Sequence, residues 1–299
     1  MWQALLQQIQ QHDIKSLARA ISLIENEVEG YDVFLKQLPA SNTPVIGITG
    51  APGAGKSTLT DALLNYLVQQ NKKAAVLCVD PSSAFNLGAL LGDRIRMSDW
   101  YTHPNVFIRS LATRGSLGGL HPKIIEITDL VKAAGFDFII VETVGVGQSE
   151  IEIAGLADVT TVVLVPEAGD EIQTMKAGLM EIANVFVINK ADRPDAALFA
   201  KNLQLMLAPV FTQQQQPVAI IKTVATTKQG IEEWWQAIEQ WLQQPAYNDK
   251  KVHLLAEKAW HLIQQQKMKG FNKAAIKNEI AVLMQETGFN LYQYITTKV

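Results

Sequence analysis

Several classes of function are closed to this chain before any motif is read. It carries a single cysteine, Cys78, set in the apolar run AAVLCVD. One thiol forms no internal disulfide, so a reducing compartment is expected. No apolar stretch in the chain approaches the roughly 20 residues that cross a bilayer. Excess positive charge is missing as well. A net charge of −3 and a pI near 6.0 remove the electrostatic case for nucleic acid or an anionic membrane as partner. The five histidines, His12, His103, His121, His253 and His261, are scattered, and none pairs with a cysteine or acid at metal-ligand spacing. The opening residues MWQALLQQIQQHD show neither the basic segment and apolar core of a secretory signal nor the arginines of a transit peptide. A cytoplasmic protein is the expectation.

What is present is an alternation of strand and helix patterns. At 299 residues, 48% of them hydrophobic, the chain is long enough for one large α/β domain with a smaller appendage. Residues 1–38 read as helical, with Leu5, Ile9, Ile14, Leu17, Ile21, Ile24 and Val28 near helical spacing. Strands are expected at Val45–Gly50, Ala74–Asp80, Asn105–Leu111, Phe136–Thr143, Val159–Val165, Val185–Asn189 and Val218–Val224. Being apolar on both faces, they suit a parallel sheet covered by helices on each side. After Gln244-Pro245 the pattern is helical to the end.

Between the first strand and the first helix of that alternation lies GAPGAGKS. Gly50-Ala51-Pro52-Gly53-Ala54-Gly55-Lys56-Ser57 fits G-x-x-x-x-G-K-[ST] without deviation. Backbone N–H groups of such a loop must converge on phosphate oxygens, and side chains at the crowded positions would block the approach. The helix that begins there, with Thr58 in its first turn, offers its positive end to the same anion. Lys56 supplies a point charge for the β and γ phosphates, and Ser57 a hydroxyl for Mg2+. The fold expected is therefore a P-loop NTPase of G-domain type. It has a helical arm over residues 1–40, the nucleotide domain over 41–245 and a C-terminal helical segment over 246–299.

Asn189-Lys190-Ala191-Asp192 follows the apolar run VFVI, at the carboxyl end of a strand, where ligands bind in open α/β sheets. An aspartate there accepts guanine N1–H and N2–H, donors that adenine does not offer in that place. Lys190 can lie over the base and Asn189 can brace the loop, while Val224-Ala225-Thr226 stands at the same edge for backbone contacts to the guanine oxygen. GTP and GDP are thus the expected nucleotides. Glu142, closing a strand before Thr143-Val144-Gly145, and Asp80, closing VLCVD, are placed to hold Mg2+; Asp93, in LGDRIRM, reaches it only if that connection closes. Lys56, Asp93 and Glu142 are the expected catalytic residues. Signalling GTPases often set a glutamine directly after the D-x-x-G glycine; here Val146 stands there and the nearest glutamine is Gln148. Arg94, Arg96 and Arg114 are candidate internal charge stabilisers. Slow turnover alone, accelerated by a partner, is the expectation.

The strings DIKSLARAISLIENE, VDPSSAF, GDRIRM, IRSLATRGSLGGL, FIIVETVGVGQSE, VPEAGDEIQTMKAGLMEIA and VFVINKAD occur in this order, around the phosphate loop. In this the chain resembles the MeaB/ArgK family of GTPase chaperones of methylmalonyl-CoA mutase, over about residues 13–270. The resemblance implies GTP hydrolysis, association with a B12-dependent acyl-CoA mutase, gating of adenosylcobalamin delivery, and protection of the mutase. It implies homodimers built through residues 250–295, and an extra switch at Pro166–Lys176. It also gives Lys56, Ser57, Asp80, Asp93 and Glu142 the phosphate and magnesium roles, and Asn189 and Asp192 the reading of guanine. The chain departs from the pattern at Val224, at Asn184 and in a short, glutamine-rich tail. No D-x-H-x-x-G string suggests direct corrinoid ligation. Two other readings are a metal-insertion GTPase, which calls for a Cys- or His-rich handoff site, and an ATP-dependent small-molecule kinase, which has no need of N-K-A-D.

Overall fold

The computed structural model describes residues 1–80, 97–113, 120–144, 150–166, 182–211, 218–243, 249–267, 271–285 and 288–298. Three helices open the chain: α1 (Trp2–Gln10), α2 (Ile14–Glu25) and α3 (Tyr31–Leu35). The helical pattern of residues 1–38 is thus interrupted twice, around left-handed backbone at His12 (φ 66°), Glu27 (φ 50°) and Gly30 (φ 86°). Asp13 restarts the chain as the N-cap of α2, its carboxylate accepting from Lys15 N–H at 3.0 Å and from Ser16 Oγ at 2.6 Å. Apolar spacing runs through both breaks, which is why periodicity alone does not show them.

The alternation that follows is β1 (Val45–Gly50), α4 (Lys56–Gln69), β2 (Ala74–Asp80), β3 (Val106–Ala112), α5 (Ile124–Lys132) and β4 (Phe138–Glu142). It continues with α6 (Glu150–Leu156), β5 (Val159–Leu164), β6 (Val185–Ile188), α7 (Ala196–Phe211), β7 (Ala219–Lys222) and α8 (Ile231–Leu242). All seven expected strands are present, in one sheet of order β3-β2-β4-β1-β5-β6-β7. Every neighbouring pair is parallel. The carboxyl ends of β1, β2, β4 and β6 therefore share one edge, and that edge is where the phosphate loop begins.

Alternation along the strands divides the core. Val45, Ala75, Leu77, Ile139 and Val141 pack with the arm helices and with α5 and α6. Ile46, Ile48, Val76, Cys78 and Ile140 face the other way, under α4 and α8. A third cluster joins Phe186 and Ile188 of β6 to Phe199 and Leu203 of α7. Each large apolar side chain fully buried in this way contributes about 1.5–3 kcal/mol before entropy is counted. Trp234 of α8 also satisfies its ring N–H, which donates to Thr161 Oγ1 at 3.1 Å.

The arm is fastened by charge as well as by packing. Arg109 of β3 pairs with Glu25 at the end of α2 at 2.5 Å and donates to Ser22 Oγ at 2.9 Å. Lys123, the N-cap residue of α5, reaches Glu27 at 2.7 Å and the Tyr31 hydroxyl at 3.2 Å. Burial works to lower the Lys123 pKa, but hydrogen bonds to Glu27 and Tyr31 and the charge of Glu126 outweigh it and hold the ammonium above its usual range.

Contacts divide the chain into two compact units, Met1–Leu254 and Leu255–Val299. The second unit contains residues 255–267 of α9 (Asp249–Lys267), with α10 (Lys273–Leu283) and α11 (Leu291–Thr296). Asn272 and Asn290 cap the latter two, each side chain accepting from two first-turn N–H groups. Within this second unit Glu279 accepts from Tyr294 OH at 2.7 Å and from Lys298 Nζ at 2.6 Å. Trp260, Ile263, Phe271, Val282, Met284 and Ile295 are exposed. Among the described residues no helix is long and apolar enough to cross a membrane.

Candidate functional site

The loop between β1 and α4 is built by backbone that only some residues tolerate. Gly50 ends β1 at φ 142°, and a Cβ there would sit 2.2 Å from the carbonyl oxygen of Val163 on β5. Gly55, at φ 89°, is the N-cap of α4, and a Cβ there would lie 2.4 Å from Asn189 Nδ2. Phosphate access is the reason the sequence gives for these glycines; close packing against β5 and against Asn189 is a second one. Between them Pro52 and Gly53 are exposed, whereas Ala54 is buried. A Gly55 cap has no side chain to spend on the first turn of α4, where Lys56, Ser57 and Thr58 stand, so those N–H groups face the loop. The Lys56 ammonium spans the loop, donating to the carbonyls of Gly50 at 2.8 Å and Ala51 at 3.1 Å.

At the end of β4 the buried Glu142 carboxylate meets α4. Ser57 Oγ donates to its Oε1 at 2.7 Å, and Thr60 Oγ1 lies 3.0 Å from its Oε2. Glu142 is in register with Cys78 of β2, so Asp80, two residues further along, sits on the same sheet face, beneath α4. Asp80 is buried too, at 5% exposure. A hydroxyl and two carboxylates on one face form a hard-oxygen donor set that suits Mg2+. Among the described residues no group of three or more His, Cys, Asp and Glu could by itself cage a metal. Mg2+ does not ask for that, because it keeps water and phosphate oxygens as most of its ligands. Asp93, Gly145, Val146, Gln148, Arg94, Arg96, Arg114 and positions 167–176 of the expected switch lie outside the described residues.

Just past the end of β6 Asn189 is 2% exposed and turned into the protein. Its Nδ2 donates to the carbonyl of Ala54 at 2.9 Å, and its Oδ1 accepts from Thr223 Oγ1 and from Ala225 N–H, each at 3.2 Å. The phosphate loop and the loop after β7 are thereby tied through one amide. Lys190 has left-handed backbone at φ 55°, and Ala191 N–H donates to Thr223 O at 3.0 Å. Asp192 is exposed at the rim, as is Thr226, while Val224 and Ala225 are buried. Residues Ala225–Thr227 form a single 3-10 turn.

Sequence reasoning passed over three hydroxyls. Thr49 of β1 and Thr143, next to Glu142, are buried with their hydroxyls 2.8 Å apart, linking the strand before the phosphate loop to the strand that carries the carboxylate. Thr60 is fully buried one helical turn after Ser57. The available signal was spacing: Ser57 and Thr60 are three apart, hence on one face of α4.

Comparison with known proteins finds relatives over most of the chain. The family profile described as methylmalonyl Co-A mutase-associated GTPase MeaB matches residues 17–279. A chain of Pyrococcus horikoshii whose name describes a GTPase is 44% identical over 242 residues, covering 79% of this chain and 76% of that one. A fused isobutyryl-CoA mutase of Geobacillus kaustophilus is 40% identical over 200 residues, 63% of this chain but only 18% of the fusion. Among solved structures, an LAO/AO transport system kinase superposes with a TM-score of 0.70 at 26% identity, covering 99% of this chain and 95% of the other.

Proposed function

The chain belongs to the family of methylmalonyl-CoA mutase-associated GTPases, and from that premise we propose that it is a Mg2+-dependent GTPase chaperone. It gates adenosylcobalamin loading into a B12-dependent acyl-CoA mutase and protects that mutase. The observation that carries the reading is the convergence of Lys56, Ser57, Glu142 and the Asn189-to-Ala54 tie at one sheet edge. The fused relative, in which a similar segment is one chain with an isobutyryl-CoA mutase, supports a mutase as the partner.

In this reading the N–H groups of residues 51–57 and the Lys56 ammonium surround the β and γ phosphates. When bound, Mg2+ neutralises phosphate charge. Ser57, Asp80, Asp93 and Glu142 are the residues that would hold it. Asp192 accepts from the guanine N–H groups, with the backbone of Val224, Ala225 and Thr226 beside the base and Lys190 over it. Val146, not a glutamine, directly follows Gly145, so turnover is slow alone and rises when a partner orders the loops. The C-terminal segment, with its exposed apolar residues, dimerises. The protein acts in the cytoplasm.

The test has two arms. Titration with GTP, GDP and ATP in Mg2+ is expected to show guanine preference; equal affinity for ATP removes the GTPase reading. Pull-down with methylmalonyl-CoA mutase and isobutyryl-CoA mutase, in GDP and in a non-hydrolysable GTP analogue, is expected to capture one of them with nucleotide-dependent yield. GTP hydrolysis that no mutase binds or accelerates removes the chaperone role while leaving the GTPase.

A further inference from the structure

We infer that Thr60 is a positioning residue for Glu142, fixing the carboxylate that faces the magnesium position; this rests on the GTPase reading above. Glu142 has one more side-chain torsion than an aspartate at the same strand end. A single hydrogen bond leaves the carboxylate free to swing about that bond. The structure supplies two, from hydroxyls three residues apart on the same face of α4: Ser57 Oγ to Oε1 at 2.7 Å and Thr60 Oγ1 to Oε2 at 3.0 Å. Two donors on two oxygens define the carboxylate plane.

Thr60 has a second acceptor within reach, the Lys56 carbonyl at 3.0 Å. Its hydroxyl carries only one proton, so it donates to one of them at a time. A carboxylate is the stronger acceptor, because charge-assisted hydrogen bonds are about twice as strong as neutral ones. The proton therefore turns to Glu142, and the back-bond to Lys56 is its resting alternative. Thr60 is 0% exposed and Glu142 is 3% exposed, so no bulk water competes for either. A carboxylate oxygen can accept more than one hydrogen bond, so a bond from each hydroxyl does not bar a metal-bound water. Thr60 touches neither phosphate nor metal position; it acts through Glu142.

The experiment follows release of a fluorescent guanine nucleotide from the full chain as Mg2+ is titrated, with release in EDTA as the metal-free reference. Thr60→Val keeps the shape and removes the hydroxyl; Thr60→Ser restores it; Thr60→Ala is the second hydroxyl-free variant should valine unfold the helix, which a melting curve reports. The expected result is a Mg2+ half-saturation about tenfold higher in Thr60→Val and Thr60→Ala, the size of one lost charge-assisted bond. Thr60→Ser is expected near wild type, with release in EDTA unchanged throughout. In a Glu142→Gln background Thr60→Val should add nothing to the Mg2+ dependence, as a residue acting through Glu142 requires. Wild-type Mg2+ dependence in the folded hydroxyl-free variants, or full additivity with Glu142→Gln, overturns the inference. A wild-type chain that binds no guanine nucleotide overturns instead the reading it rests on.

Discussion

Asn189 holds Ala54 by a hydrogen bond of 2.9 Å from its amide nitrogen to the Ala54 carbonyl, while the oxygen of the same amide accepts from the loop after β7. The residue preceding Gly55 in the phosphate loop and the first residue of the 3-10 turn after β7 are thus positioned by one side chain. Substituting Asn189→Ala leaves Ala54 O, Thr223 Oγ1 and Ala225 N–H to find new partners among buried residues. The expected cost is about 2–4 kcal/mol of stability, seen as a lower melting temperature, together with at least a tenfold loss of GTP affinity. Thermal unfolding and nucleotide titration check both. An unchanged affinity in a folded variant would show that the two loops need no such tie to bind nucleotide.

Lys56 gives a contrasting pattern. Lys56 is itself buried, at 7% exposure, and its ammonium donates to the carbonyls of Gly50 and Ala51 beside the exposed Pro52 and Gly53, so truncating it opens those carbonyls to water. Lys56→Ala is therefore expected to fold with a near-wild-type melting temperature. Its GTP affinity is expected to fall about 100-fold, the size of two charge-assisted bonds to phosphate at the lower end of their range. Circular dichroism and titration calorimetry separate the two effects.

Asp192 is the only carboxylate of the N-K-A-D string and stands exposed at its rim. Asp192→Asn replaces one acceptor with a donor, which matches the extra carbonyl of xanthine better than the amino group of guanine. Preference is expected to shift from GTP toward xanthosine triphosphate, by at least tenfold in the ratio of affinities. Competition binding with the two nucleotides measures that ratio, and a ratio equal to wild type places the base elsewhere.

The strands were legible because they are apolar on both faces and bounded by Gly, Pro, Asp or Asn, a pattern that a buried parallel sheet imposes. The phosphate loop was legible because its backbone leaves few alternatives: Gly50 and Gly55 each have a neighbour within 2.4 Å of where a Cβ would go. The breaks in the arm at His12 and Glu27 were not legible, since left-handed backbone at non-glycine residues leaves no mark on apolar periodicity. Nor was the hydroxyl pair Thr49 and Thr143, 94 positions apart. Cross-strand contacts of that kind depend on strand order, and strand order is not written in any one strand.

The arm offers a prediction in pH. Lys123 is 7% exposed, and its pKa is raised: burial opposes the charge, but the bonds to Glu27 and Tyr31 and the nearby Glu126 overcome it. A raised pKa means the folded state holds this proton more tightly than the unfolded chain, whose lysine titrates near 10.5. The contribution is therefore complete below that value and is lost as pH climbs through the folded one. Lys123→Met removes it at every pH. At pH 7 the variant is expected to be less stable by about 1–3 kcal/mol, because the buried Glu126 loses the Lys123 charge beside it, whereas Glu27 is half exposed and well screened. The gap between wild type and variant should stay constant from pH 7 to about 10 and narrow only above 10.5. Urea unfolding of both proteins across that range reads the gap directly. A gap that does not narrow above pH 10.5 would show that the Lys123 proton does not carry it.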